Sequence, residues 1–229
     1  VSGEPTKHGV APADAVALAR RIAPHPALEW LGVGFYPGHI RGPAEGQTAA
    51  IDALNWQLCD TLDALATAGL PVRVVSGGST PALWQSHRVA GITEIRPGTS
   101  VYNDRTTAAI GACAFDDCAL TVLATVISVA VPGQAVVDAG TKALGREPIR
   151  GVEAPGYGVL LDRPEVVVSA LSEEHGTLDL SHTDWRPAIG DQVRIIPNHV
   201  CIVTHLFDSA VGVRGDVVVE EWPIEARGR

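Results

Sequence analysis

Hydrophobic residues in the first half of the chain alternate between a helical and a strand-like spacing. Ile51, Leu54 and Leu58 recur every three to four residues, which places them on one face of a helix. Short apolar runs bounded by glycine or proline are typical of buried strands. The pattern predicts helices at residues 12–22, 49–66, 80–89 and 104–112, and strands at residues 28–36, 71–76 and 92–95. Buried strands that alternate with helices indicate a parallel sheet.

The pattern changes after Cys118, where short β-rich segments follow one another with glycine and proline between them. The predicted strands lie at residues 120–131, 135–138, 158–161, 166–171, 192–196, 201–206, 210–213 and 216–222. We therefore predict an α/β domain over residues 1–117 and an all-β domain over residues 118–229.

Composition excludes several classes of protein. A hydrophobic fraction of 46% supports a substantial core, and a net charge of −9 argues against a nucleic-acid groove. No apolar run reaches the length of a membrane span, and no basic segment followed by an apolar stretch opens the chain. The four cysteines form no Cys-x-x-Cys pair. We expect reduced thiols, a cytoplasmic location and no membrane partner.

Methionine is absent from the chain and lysine is rare, and both facts bear on whether the sequence is the whole protein. The chain contains no methionine, and its only lysines are Lys7 and Lys142. A chain that opens at Val1 with glycine and proline close behind is unlike a natural start. We expect a fragment, or a sequence from which part of the protein is omitted.

The segment that ends in His199-Val200-Cys201 is the most informative for chemistry. On a strand, side chains two residues apart point to the same face, so His199 and Cys201 are predicted to project together. An imidazole and a thiolate suit zinc better than magnesium or calcium. His205 has the same parity if the strand continues. The alternative is a packed histidine beside a small buried cysteine.

A second candidate site follows the strand predicted at residues 71–76. Ser76-Gly77-Gly78-Ser79-Thr80 ends this strand and opens the next helix. Glycines let the backbone approach an anion, and the N–H groups at the start of a helix favour phosphate. The alternative is an ordinary glycine-rich turn.

Pro197-Asn198-His199-Val200-Cys201 resembles the metal motif of the D-threonine aldolase and D-serine dehydratase family, pyridoxal-phosphate (PLP) enzymes with an alanine-racemase-like fold. Further segments match in the family's order: Gly-Phe-Tyr-Pro-Gly-His at 34–39, Ser-Gly-Gly-Ser-Thr-Pro at 76–81, Glu-Ile-Arg-Pro-Gly-Thr at 94–99, Asp-Ala-Gly-Thr-Lys-Ala-Leu at 138–144, Glu-Glu-His-Gly at 173–176 and the ending at 222–229. The resemblance spans nearly the whole chain. It implies that residues 1–117 are the last part of a PLP-binding (β/α)8 barrel, and that the β domain carries the metal motif.

The resemblance also implies how the phosphate of PLP is held. Thr80 is the expected hydroxyl contact in the first loop, and Gly98 and Thr99 resemble a second phosphate contact at the end of the next strand. Barrels of this kind commonly bind one phosphate between adjacent strand ends.

Three further side chains take roles from the resemblance. Tyr36 is expected to contact the cofactor, and His39 is a candidate base for the substrate hydroxyl. Arg96 resembles the arginine that faces the pyridine nitrogen in alanine racemases. The alternatives are a capped surface histidine for His39, and a salt bridge to Glu94 or Asp104 for Arg96.

PLP chemistry needs a lysine that forms a Schiff base with the cofactor. The family places this lysine on an early barrel strand, and the chain contains no matching segment. Lys142 belongs to a different motif, and Lys7 stands where the family has an arginine. Neither lysine is therefore assigned to the cofactor.

The first hypothesis for function is a metal-assisted PLP lyase of D-β-hydroxy amino acids, acting as a homodimer. Its metal is zinc, with manganese or magnesium as alternatives. We expect a D-threonine aldolase-like enzyme, which gives glycine and an aldehyde by retro-aldol cleavage. The alternative is a D-serine dehydratase, which gives pyruvate and ammonia. The second hypothesis is a racemase-like or non-catalytic PLP-binding homologue. The third is a β-domain interaction module with a structural zinc, although one histidine and one cysteine are half of a closed zinc site.

Overall fold

The structure is a computed structural model that describes residues 9–227. Contacts divide the chain into two compact units. The first unit extends to Val101 and includes Ile110–Ala112, and the second contains Tyr102–Ala109 and the chain from Cys113 onward. No helix in the described part of the chain is long and apolar enough to cross a membrane.

The first unit is built on a small parallel sheet. Its strands are β1 (Gly32–Gly34), β2 (Val74–Gly77) and β3 (Glu94–Ile95), and they are hydrogen-bonded in that order. Helices α1 (Ala15–Ile22) and α2 (Thr48–Thr67) belong to the same unit. All strand pairs are parallel, so the predicted strand–helix alternation is confirmed. Parallel pairing aligns the carboxyl ends of the strands along one edge of the sheet.

The core of the first unit lies under the predicted face of α2. Ile51, Leu54 and Leu58 are almost completely buried, and they pack in one cluster with Phe35 and Val75 at the carboxyl ends of the strands. Full burial of an apolar side chain of this size stabilises a fold by roughly 1.5–3 kcal/mol. The helix therefore fixes the strand ends that carry the first candidate site.

The second unit is built around a closed antiparallel barrel, which confirms the predicted β fold of this part of the chain but not the absence of helices. Its strands are β4 (Val122–Ser128), β5 (Gln134–Val137), β6 (Gly158–Leu160), β7 (Val167–Leu171), β8 (Gly176–Asp179) and β9 (Gln192–Pro197), arranged β4-β5-β8-β7-β6-β9. Buried and less buried residues alternate along β4, as expected for a strand with one face on the core. Val168, Leu178 and Ile195 are fully buried inside.

Smaller elements complete the second unit. They are helices α3 (Arg105–Ala109), α4 (Thr141–Leu144) and α5 (Val200–Leu206), and an exposed antiparallel hairpin of β10 (Ser209–Arg214) and β11 (Val217–Pro223). Neither α4 nor β8 was predicted. Gly176 and Asp179 bound β8, and both residue types are uncommon in strands, so the four-residue segment carries little strand signal.

The prediction of a strand at residues 201–206 is wrong, because this segment forms helix α5. Its β-branched residues favour a strand by local preference. Val200 and Val203 are nevertheless both buried, and a spacing of three residues is that of one helix face. Tertiary packing therefore outweighs local preference here. The strand parity assigned to His205 is wrong for the same reason.

Three predicted elements are shorter in the structure than the sequence pattern predicts. Residues 80–89 contain a 3₁₀ helix at Leu83–Arg88 instead of an α-helix. The strand predicted at residues 28–36 is confined to Gly32–Gly34. The helix predicted at residues 104–112 is reduced to the five residues of α3, which lie in the second unit.

Candidate functional site

Residues 76–80, which form the end of β2 and the loop after it, are called the β2 loop. Thr80 is buried in it, and its Oγ1 accepts a hydrogen bond of 3.2 Å from the backbone N–H of Ser100. Ser100 belongs to the turn Gly98–Val101 that follows β3. The structure therefore brings together the two segments predicted to hold phosphate. Since Thr80 Oγ1 accepts this bond, its own O–H can donate to a ligand.

The β2 loop has features that fit an anionic group. Ser76 Oγ is buried and has no hydrogen-bond partner among the described residues. A buried hydroxyl without a partner carries a desolvation cost that a ligand oxygen would remove. Gly78 has φ of +94°, a conformation that side chains other than glycine rarely adopt. A Cβ on Gly77 would lie 2.3 Å from the Phe35 ring, so the loop requires glycine there too.

Arg96 lies across the carboxyl ends of two strands. One of its terminal nitrogens donates to the backbone oxygen of Ser76 at 3.1 Å and to that of Phe35 at 3.4 Å. None of the ion pairs in residues 9–227 includes Arg96, so the alternative of a salt bridge is not supported. The guanidinium joins β1 to β2, and its role toward a cofactor ring stays a prediction.

Tyr36 and His39 follow β1, as predicted. Tyr36 is 58% exposed, and its ring covers Gly38, where a Cβ would lie 2.6 Å from a ring carbon. His39 is exposed as well. Gly98 has open space where a Cβ would be, and Thr99 lies beside it in the turn after β3. The roles assigned to these residues stay predictions.

The second candidate site is the turn between β9 and α5, residues 198–201, called the β9–α5 turn. His199 is the residue that precedes α5, and Cys201 lies in the helix's first turn. Their side chains are joined by a hydrogen bond. The structure brings the pair together, but through a strand-to-helix turn and not through strand parity. Cys201 is exposed, so the alternative of a small buried cysteine is wrong.

The charges around His199 favour its protonated form. The hydrogen bond with Cys201 raises the pKa of His199, and the negative charges of Cys201, Glu147 and Asp104 act in the same direction. Partial burial of the imidazole opposes them. The negative charges that raise this pKa would also attract a metal cation to the imidazole, and the proton and the metal would compete for its nitrogen.

Asn198 fixes the β9–α5 turn from its first residue. It is 2% exposed, and its Nδ2 donates to the backbone oxygens of Glu147 and Gly156, both at 2.9 Å. Its Oδ1 accepts from Arg105 at 3.2 Å, and its backbone oxygen accepts from Thr106 Oγ1 at 2.7 Å. A buried amide with all of its side-chain atoms bonded is a rigid support.

Asp104 fixes the other end of the turn. It is 1% exposed, and its Oδ2 accepts from the backbone N–H of Val200 at 3.2 Å. Its Oδ1 accepts from the N–H of Thr107 at 2.8 Å, so one carboxylate caps both α3 and α5. The sequence pattern places Asp104 only at the start of a helix. An aspartate followed three residues later by threonine signals the cap of α3, but nothing local signals the bond to Val200.

The residues present fit a metal held partly by the protein. Among the described residues, no group of three or more histidine, cysteine, aspartate or glutamate side chains is arranged to hold a metal ion. His199 and Cys201 therefore offer two donors. Structural zinc sites are closed by four protein ligands, whereas catalytic sites leave positions for water or substrate. The pair fits the second class better.

Neither lysine was assigned to the cofactor. Lys142 is in α4, exposed, and its Nζ contacts Glu174 at 2.5 Å and Glu173 at 3.5 Å. The hydrogen bond and charge of Glu174 raise the pKa of Lys142, which keeps the amine protonated and a poor nucleophile. Lys7 lies outside the described residues.

Two families of known domains match the chain. Residues 2–106 match the alanine racemase N-terminal domain, and residues 119–213 match the putative serine dehydratase domain. By sequence, the chain is 38% identical over 174 residues to D-threo-3-hydroxyaspartate dehydratase of Delftia sp. (strain HT23), covering 70% of this chain and 46% of that enzyme. It is 29% identical over 224 residues to D-threonine aldolase of Arthrobacter sp., a match that covers 93% of this chain and 55% of that enzyme. The chain thus spans about half the length of these relatives.

Solved structures agree with the sequence matches. The Delftia dehydratase superposes with a TM-score of 0.87 at 31% identity, over 100% of this chain and 65% of that one. D-threonine aldolase from Filomicrobium marinum superposes with a TM-score of 0.85 at 31% identity, over 97% and 60%. These matches confirm the predicted fold class, the C-terminal part of a (β/α)8 barrel followed by a β domain.

Two mutants of D-threo-3-hydroxyaspartate dehydratase have also been solved. One replaces a histidine by alanine, and the other replaces a cysteine two positions later by alanine and is described as the metal-free form. His199 and Cys201 have the same order and spacing in this chain.

Proposed function

Because this chain belongs to the D-threonine aldolase and D-serine dehydratase family of alanine-racemase-like enzymes, we propose that its full-length protein is a lyase of D-β-hydroxy amino acids. PLP, when bound, would stabilise negative charge at the substrate Cα. A divalent metal, when bound, would polarise the substrate's β-hydroxyl. The two units of this chain supply residues for each of these groups.

The observation that carries the proposal is the hydrogen-bonded pair of His199 and Cys201. An imidazole and a thiol are the donors that zinc prefers, and two of them leave positions for water and substrate. The metal-free cysteine mutant of D-threo-3-hydroxyaspartate dehydratase supports the same assignment, because its mutated residues have the spacing of this pair. We propose zinc as the metal.

The β2 loop would bind the phosphate of PLP. Thr80 Oγ1 and Ser76 Oγ are buried hydroxyls, one able to donate and the other without a partner among the described residues. The Gly98–Val101 turn is held against this loop by the bond from Ser100 to Thr80. This arrangement would orient the cofactor through its phosphate, without a lysine of the described chain.

We propose dehydration as the reaction, with retro-aldol cleavage as the second candidate. Dehydration is favoured because the 38% identical relative is a dehydratase and because its mutated histidine and cysteine match this pair. Retro-aldol cleavage is favoured by the D-threonine aldolase match, which extends over 93% of the chain. Both reactions need the β-hydroxyl oriented, and His39 is the proposed base near the cofactor.

The products separate these reactions. We would incubate the full-length protein, supplied with PLP and zinc, with D-threonine, D-serine and D-threo-3-hydroxyaspartate. Dehydration gives a 2-oxo acid and ammonia, measured by reduction with NADH and lactate or malate dehydrogenase. Retro-aldol cleavage gives glycine and an aldehyde. Neither product from any of the three substrates would favour a racemase-like or non-catalytic homologue and would count against a lyase.

A further inference from the structure

The carboxylate of Glu147 lies between the side chains of His199 and Arg150. Its Oε2 is 3.1 Å from Nδ1 of His199 and accepts a hydrogen bond of 2.8 Å from Arg150. The Glu147 and His199 side chains are 30% and 25% exposed, so water screens their contact only in part. The proposed function assigns no role to this carboxylate.

The main chain holds Glu147 in place. The buried side chain of Asn198 donates to the backbone oxygen of Glu147 at 2.9 Å. Asn198 is the residue immediately before His199, so residues 147 and 199 are tied through one rigid amide. The contact between the carboxylate and the imidazole is therefore built by the fold and does not depend on two free surface side chains meeting.

The two nitrogens of an imidazole have different tasks when a histidine binds a metal. A hydrogen bond from one N–H to a carboxylate fixes the tautomer and the ring orientation, and it makes the other nitrogen a stronger donor. With Nδ1 of His199 directed at Glu147, Nε2 is the nitrogen left for a metal. A hydrogen bond from the Nδ1–H of His199 to Glu147 would therefore make Nε2 the metal ligand.

We propose that Glu147 is a positioning residue, which holds the Nδ1–H of His199 so that Nε2 faces the metal. This inference rests on the proposed metal role of His199 and Cys201. It adds Glu147, 52 positions before His199 in the chain (199 − 147), to the residues that determine metal affinity. Arg150 limits the rotation of the carboxylate through its hydrogen bond.

The test is metal affinity, which does not depend on turnover. The full-length protein, stripped of metal by chelation, is titrated with Zn²⁺ against a chelating dye. Loss of a carboxylate behind a histidine ligand typically weakens metal binding by about 10- to 100-fold. We expect a loss in this range for Glu147→Ala. We expect a smaller loss for Glu147→Gln, because the amide oxygen still accepts a hydrogen bond from Nδ1.

The matched control is Glu173→Ala. Glu173 is an exposed glutamate that contacts Lys142 and not His199. This variant should leave the zinc affinity unchanged. Substitution with Co²⁺ gives the second readout, because thiolate-to-cobalt absorption reports the Cys201 bond. This absorption should persist in Glu147→Ala at saturating cobalt, since Glu147 acts through His199 and is not itself a ligand.

Three results would overturn the inference, and they differ from one another. Equal zinc affinity in the wild type and both Glu147 variants would show that the carboxylate has no effect on the metal. A cobalt spectrum of Glu147→Ala with a changed coordination number would show that Glu147 is a ligand. A wild type that binds no zinc at all would remove the metal part of the proposed function as well.

Discussion

The β2 loop and the β9–α5 turn are built in different ways. The β2 loop uses glycines, small hydroxyl side chains and a backbone N–H only twenty residues away in sequence. The β9–α5 turn is held by the buried side chains of Asn198 and Asp104, which bond to groups 42 to 96 positions away in the chain. A loop of the first kind tolerates loss of one hydroxyl, because backbone groups remain. A turn of the second kind depends on single carboxylate and amide groups, so changes there should be more severe.

The largest expected effect is loss of a metal donor. In the full-length protein, Cys201→Ala should lower turnover by about a thousandfold, because a metal acting as a Lewis acid supplies several kcal/mol of transition-state stabilisation. PLP absorbance should remain, since phosphate binding uses other residues. Steady-state kinetics and the absorbance spectrum measure the two outcomes.

The control for Cys201→Ala is Cys59→Ala, at a partly buried cysteine in α2 of the first unit. This variant should keep full activity. A chelator should reproduce the loss seen in Cys201→Ala, and added zinc should restore the wild type only. Undiminished turnover by the chelated wild type would mean that the metal has no catalytic role.

The next effect is on stability, at Asp104. Asp104→Ala leaves the N–H groups of Val200 and Thr107 without their carboxylate partner. Leaving a buried donor unsatisfied costs about 1–3 kcal/mol, so we expect a loss of roughly 2–4 kcal/mol in the free energy of unfolding. Urea denaturation followed by tryptophan fluorescence measures it.

Asp116 supplies the comparison, because it is an exposed aspartate in the same unit. Asp116→Ala should change the free energy of unfolding by less than about 0.5 kcal/mol. If Asp104→Ala were equally mild, the β9–α5 turn would not depend on single side chains, and the contrast with the β2 loop would be lost.

A smaller effect is expected at Thr80. Thr80→Val keeps the shape of the side chain and removes the hydroxyl that accepts from Ser100. One hydrogen bond contributes about 1 kcal/mol net, or more to a charged group, so PLP affinity should fall roughly tenfold. Equilibrium titration of the apoenzyme by absorbance measures it, and the zinc affinity should not change.

Thr48→Val is the matched control, since the Thr48 hydroxyl accepts from Arg88 in an exposed position of the first unit. PLP binding should be unaffected by this change. A loss of PLP affinity beyond a hundredfold in Thr80→Val would mean that the β2 loop relies on one hydroxyl as strongly as the turn relies on Asp104.

The same difference explains what could be predicted from the sequence. Ser76 to Thr80 follow one another in the chain, so their arrangement at a strand end can be inferred from local pattern alone. His199 and Cys201 are also close in sequence, and their pairing was predicted. The predicted geometry was wrong, because helix α5 is set by burial of Val203 and by the Asp104 cap, and neither has a local signal. Glu147 was not predicted for the same reason.

The smallest effect is on the pH dependence of stability. It tests whether water is excluded from the core that packs against the β9–α5 turn. Cys118 packs against Ile196 of β9. Burial raises the pKa of Cys118 to about 12, with the nearby Cys113 and Asp104 charges adding to the effect. An unfolded cysteine has a pKa near ~8.5. The folded protein therefore holds the Cys118 proton more tightly than the unfolded chain does. The contribution of this proton to the free energy of unfolding is present below pH ~8.5 and is lost as the pH rises toward 12.

Cys118→Ala removes this contribution. Between pH 8 and pH 10, the wild type should lose stability relative to Cys118→Ala by up to about 1–2 kcal/mol, since each pKa unit corresponds to about 1.4 kcal/mol. Urea denaturation at both pH values gives the difference, and Cys59→Ala, at a partly buried cysteine in α2, should follow the wild type. A parallel pH dependence in the wild type and Cys118→Ala would mean that water reaches this thiol. Water in the core behind β9 would mean that this core does not hold the β9–α5 turn rigidly. The loss of stability expected for Asp104→Ala would then come only from its two lost hydrogen bonds.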